Sequence, residues 1–148
     1  MAQPNAMEIL QSRAEDASQD AMRRMAELLV ALRESESRLQ LLQRYRDEYR
    51  AKLADATKGG VSAVQLANFR AFLGRLEEAM AQQTADVTHW QAAVERARSD
   101  WQDAEKRARS YGVLNERRTE QARGIAARTE QKQSDEYAAR LAAAPRWS

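Results

Sequence analysis

The sequence predicts an all-α chain folded as a long antiparallel two-helix coiled-coil hairpin, and three observations carry that reading. Apolar residues recur at alternating steps of three and four along two long arms. Proline occurs only at Pro4 and Pro145, outside both arms. The one Gly-Gly pair, Gly59-Gly60 in "DATKGGVSAVQ", falls a little before the midpoint of the 148 residues. Charged residues at 31% and aromatics at 6% suit long helices rather than a thick globular core.

The first arm is predicted to be helical over about 5–57. Its seam reads Ala21, Met25, Leu28, Leu32, Ser35, Leu39, Leu42, Arg46, Tyr49, Leu53 and Ala56, broken only by Ser35 and Arg46. The tip follows at 58–61. Glycine readily takes the left-handed conformation that ends a helix, and Ser62 with Gln65 has capping-box spacing for restarting one. The second arm, about 62–143, carries Leu66, Phe69, Leu73, Leu76, Met80, Gln83, Val87, Trp90, Val94, Ala97, Trp101, Ala104, Ala108 and Tyr111. A seven-residue repeat held this long makes helices wind round a partner, and a short break folds the partner back from the same chain.

With the tip at Gly59-Gly60, residue i faces roughly residue 119 − i, and the first arm runs out opposite about residue 114. The apolar seam fades there too, continuing as Asn115, Arg118, Ala122, Ile125, Thr129 and Lys132. The region from about 115 is therefore expected to be an unpaired overhang of a single hairpin spanning 1–148. At ~1.5 Å per residue it would reach ~40 Å past the paired arms. Its composition is helix-forming, but a lone helix in water is marginal, so fraying and folding on a partner's surface are both open.

Charge and chemistry narrow the function classes. With no cysteine there is no disulfide or thiolate metal site. The longest apolar run, Leu28 to Leu32, is far too short to span a membrane, and no secretory leader pattern opens the chain, so the cytoplasm is expected. The single histidine, His89, has no partner for a nucleophile or metal site, and carboxylates on a thin helical pair have no pocket to tune them. No enzyme activity and no cofactor are expected. Residues 106–148 hold ten cations against five anions, whereas residues 61–105 hold four against seven. Arg117, Arg118 and Arg123 lie in this basic part. A basic helix suits an acidic protein surface, nucleic acid or plain solvation, and no nucleic-acid motif accompanies it.

The sharper feature lies nearer the tip. Arg38, Leu42, Tyr45 and Tyr49 form one helical stripe, and Phe72, Leu76, Ala79 and Gln83 repeat its spacing. Leu42, Tyr49 and Leu76 are seam positions. Tyr45 and Phe72 are not, and the hairpin arithmetic sets them at similar heights. Together with Tyr49 they form either one exposed aromatic contact patch or a cover folded over the seam.

Several stretches stand in a set order: "YRDEYR" (Tyr45 to Arg50), "NFRAFLGRLEEAM" (Asn68 to Met80), Trp90 with Trp101, "LNERR" (Leu114 to Arg118) and "QKQSDEYAAR" (Gln131 to Arg140). Taken together they resemble the FliJ family, the small coiled-coil component of the bacterial flagellar type III export apparatus. The resemblance implies a hairpin similar to the coiled coil of the F1 ATPase gamma subunit. It implies a non-enzymatic cytoplasmic stalk for flagellar biogenesis and motility, held peripherally at the inner membrane through protein partners only. Those partners are the export ATPase ring, whose assembly and activity it promotes, the cytoplasmic domain of the export gate, and export chaperones that it helps recycle. Nucleic acid is not among them. The family's gate-binding surface maps onto Arg38, Leu42, Tyr45, Tyr49, Phe72, Leu76, Ala79 and Gln83, with arginine and glutamine here where members carry glutamine and histidine at the first and last. The gamma-subunit likeness and the positive excess together point Arg117, Arg118 and Arg123 at the ATPase ring. The alternatives are the stalk of a virulence-type secretion system, or a generic coiled-coil spacer or nucleic-acid-binding rod.

Overall fold

A computed structural model describes residue 3 and residues 5–144; Pro4 and Pro145, the breakers flanking the arms, lie outside the described residues. Two helices account for the fold, α1 (Ala6–Lys58) and α2 (Ala63–Ala143). Each begins on a capping box, in which a short polar side chain and a longer one satisfy each other's backbone N–H. The Asn5 side chain accepts from the N–H of Glu8 at 2.8 Å, and Glu8 accepts from the N–H of Asn5 at 3.3 Å. At α2, Ser62 Oγ accepts from the N–H of Gln65 at 3.2 Å, and Gln65 Oε1 accepts from the N–H of Ser62 at 3.3 Å. Between the helices Gly60 takes φ +85°, the left-handed conformation that a side chain would resist.

The helices contribute to two compact units. Ser18–Asp103 forms one, and the chain ends, up to Ala17 and from Ala104, form the other. Within Ser18–Asp103 the seam closes as its heptads require, since every position read from Ala21 to Ala56 and from Leu66 to Trp101 is buried or half-buried. Leu76, Val87, Val94 and Ala97 are the buried apolar centre. Arg46 occupies its seam position by laying its aliphatic stem inward and pairing its guanidinium with Asp47 at 3.1 Å. Antiparallel pairing near 119 − i is visible where Ser35 meets Gln83 and Asp86 and where Tyr49 meets Phe69 and Phe72. In the terminal unit the contacts come later on α1 than 119 − i gives: Asn115 reaches the Met7 carbonyl and Gln11.

Cysteines placed at Met25 and Val94, in a chain that has none of its own, are expected to crosslink within one molecule. Non-reducing electrophoresis distinguishes this from a covalent dimer, which would mean pairing between chains.

Candidate functional site

Arg38, Tyr45, Phe72 and Ala79 each stand immediately before a seam residue (Leu39, Arg46, Leu73 and Met80), so antiparallel pairing gathers them on one flank of the helix pair. A pair of helices has no third layer to cover that flank. Tyr45 is 48% exposed and Phe72 38% exposed, while the seam residue beneath them, Leu76, is only 8% exposed. The Phe72 ring packs on Tyr49 with centroids 4.3 Å apart, and Phe69 meets the other side of Tyr49 at 5.1 Å. These tilted pairs hold the rings in place and leave one face of Phe72 outward. Tyr45 makes no ring contact among the described residues. The aromatic cluster is thus Tyr49, Phe69 and Phe72, with Tyr45 a separate exposed ring one helical turn away. Leu42 and Ala79 are half-buried at its borders, and Arg38 is exposed beside a shallow groove shared with Val30, Arg33, Glu34 and Ser37.

Gln83, grouped by sequence with this surface, points across the seam instead. Its Nε2 donates to the Ser35 carbonyl at 3.0 Å and to Ser35 Oγ at 2.9 Å, and Ser35 Oγ donates to Asp86 Oδ2 at 2.7 Å. Ser35 is 2% exposed, so this polar node sits inside the helix pair. In sequence Ser35 and Gln83 are polar residues on separate apolar seams, and the structure pairs them with each other. The signal was available, because 119 − i sets Ser35 opposite residue 84, next to Gln83. A buried polar group must be hydrogen-bonded, and one inside a coiled coil fixes which layers can meet. Replacing Ser35 by alanine is expected to cost about 1 kcal/mol, seen as a lower urea midpoint at unchanged slope. An unmoved midpoint would show that the node contributes nothing to stability.

The other candidate region follows the hydrogen bonds that Asn115 of α2 makes to α1. Asn115 Nδ2 donates to the Met7 carbonyl at 3.3 Å and to Gln11 Oε1, and a Cβ on Gly112 would stand 3.6 Å from Gln11 Nε2. Beyond Asn115 every residue to Ala144 is exposed except Gly124, which is half-exposed, yet α2 stays helical to Ala143. Ile125 is 63% exposed, with Tyr137 and Leu141 similarly open. Arg117, Arg118 and Arg123 are all exposed here and make no ion pair among the described residues, in contrast to Arg109, which pairs with Glu105 at 3.4 Å. With no ion pair holding them, their guanidinium groups are open to an acidic surface.

The family model described as "Flagellar FliJ protein" matches residues 3–146. The chain belongs to the FliJ family. The flagellar FliJ protein of Salmonella typhi is 32% identical over 142 residues, covering 96% of this chain and 97% of the relative. That of Escherichia coli strain K12 is 30% identical over 142 residues, with the same shares of 96% and 97%. Among solved structures, a protein of Chlamydia trachomatis assigned as a YscO homolog aligns at TM-score 0.46 and 20% identity, over 91% of this chain and 88% of that one. FliJ membership makes this a non-enzymatic protein of flagellar type III export. Within this FliJ chain His89 is exposed and lies edge-on to Trp90 at 5.1 Å. No described helix is long and apolar enough to cross a membrane.

Proposed function

We propose that this FliJ-family chain is a stalk that engages the ring of the flagellar export ATPase with the unpaired part of α2 and the export gate with the flank around Tyr45 and Phe72. It promotes assembly and activity of the ring, and assists the recycling of export chaperones. It works on the cytoplasmic side of the inner membrane, held there by its protein partners. The observation that carries this reading is the behaviour of α2 after Asn115: it remains helical to Ala143 with every residue but Gly124 exposed and with Arg117, Arg118 and Arg123 making no ion pair among the described residues. A helix alone in water loses much of its stability, since packing supplies most of it; a helix kept this way is suited to a partner's surface. At the gate, Tyr45 and Phe72 supply contact and Arg38 borders them, while Leu42, Tyr49, Leu76, Ala79 and Gln83 act from beneath.

The test is capture from a cell extract with the tagged full-length chain. The export ATPase and the cytoplasmic domain of the gate are both expected on the beads, the ATPase eluting first as salt is raised, because exposed charge contacts are screened over ~8 Å at physiological ionic strength. Recovery of neither would overturn the reading.

A further inference from the structure

Gly124 stands inside α2, in its exposed last part, where nothing in the chain asks for a glycine. Glycine is the poorest helix former after proline, and an added Cβ there would meet no atom within 4 Å. Gly112 differs, since Gln11 approaches it from α1. Gly124 forms the floor of an open notch on the helix surface, about 520 Å³ and lined also by Arg117, Glu120, Gln121, Ile125 and Arg128. These positions repeat the three-and-four spacing that forms the hole for a knob in helix packing. The floor is bare backbone, one wall is the exposed Ile125, and the two ends are Arg117 and Arg128, neither ion-paired among the described residues.

We propose that this notch receives a side-chain knob from an acidic helix lining the export ATPase ring, a proposal that rests on the ring-facing reading of the overhang. An apolar knob against Ile125 excludes water, carboxylates on either side of it meet Arg117 and Arg128, and the missing Cβ lets the two helices approach closely. Glu120, the one acid on the lining, stands between the two arginines and sets the spacing at which the partner's carboxylates are tolerated.

The test exploits opposite signs. Gly124→Ala and Gly124→Leu improve helix formation in the free chain and clash with nothing in it, but they fill the notch. Titrated with the purified export ATPase of the same organism, Gly124→Leu is expected to bind at least about tenfold more weakly, the loss of one hot-spot contact, and Gly124→Ala less severely. Circular dichroism should show helicity unchanged or raised. Gly74→Ala, on α2 but in the other compact unit and with open space around its own Cβ, should bind as the parent does. Parental affinity of Gly124→Leu, while truncation after Asn115 abolishes binding, would overturn the notch and leave the ring reading standing. Unchanged binding after truncation would remove both. A photo-crosslinker at Gln121 should capture the ATPase; capture of a second copy of this chain instead would assign the notch to self-association and overturn the proposal.

Discussion

Deleting everything after Asn115 is expected to abolish stimulation of the export ATPase while leaving the paired helices folded. The separation of effects follows from burial. Residues 116–144 bury almost nothing against the rest of the chain, and among the described residues the hydrogen bonds from α2 to α1 end at Asn115. Removing an exposed segment forfeits little packing, so the thermal midpoint should barely move. Charge reversal of Arg117, Arg118 and Arg123 to glutamate should act in the same direction but by degrees. Each exposed contact contributes about 0.2–1 kcal/mol, so reversing three of them reduces stimulation several-fold and steepens with falling salt. Gate binding, through the flank around Tyr45 and Phe72, should survive both changes. Unchanged stimulation after the deletion would remove the overhang from the ring.

Replacing Tyr45 and Phe72 together by alanine is expected to weaken binding to the cytoplasmic domain of the export gate by at least tenfold, since hot-spot aromatics contribute about 2 kcal/mol or more each. The two rings differ in their cost to the fold. Tyr45 touches no other ring, so its removal should leave stability nearly unchanged. Phe72 packs on Tyr49 at 4.3 Å, and losing that pair costs about 1 kcal/mol. Leu76→Ala is the counterpart: this residue is buried beneath the same flank, and its truncation should cost about 2–3 kcal/mol of stability. Gate binding by that variant, measured at a temperature where it remains folded, should be close to parental. Isothermal titration with circular dichroism on the same samples separates the cases. If the Tyr45 and Phe72 change lowers affinity only as far as it unfolds the helices, the flank is packing and not a contact surface.

The hairpin was legible because its causes are local and repeat. A seven-residue apolar period needs only the order of residues, and the break at Gly59-Gly60 with Ser62 and Gln65 carries its own stereochemistry; the left-handed Gly60 and the reciprocal hydrogen bonds follow from residue type alone. Contacts between arms were less legible. The aromatic cluster drew in Phe69 rather than Tyr45, because a ring on a seam position swings inward and a flanking ring has a choice of rotamers that the heptad does not determine. Gln83 shows the same limit: the spacing set it both on the seam and in the contact stripe, and only the structure shows its amide bonded to the Ser35 carbonyl and hydroxyl. Helical persistence to Ala143 also lay beyond periodicity, since no seam pattern marks that stretch.

The distances along the chain between contacting residues set an order of assembly. Arg50 and Glu77, near the turn, are 27 residues apart; Ser35 and Asp86 are 51 apart; Met7 and Asn115, at the open end, are 108 apart. Closing a longer loop costs more entropy, with each doubling adding about 0.6 kcal/mol, so contacts beside the turn form first and each one shortens the loop that the next must close. The helices therefore zip from Gly60 outward, and the Met7–Asn115 clasp is last to close and first to fray. Every such opening adds to the unpaired stretch of α2, while the contacts beside the turn, closed by the shortest loops, are the last to be lost.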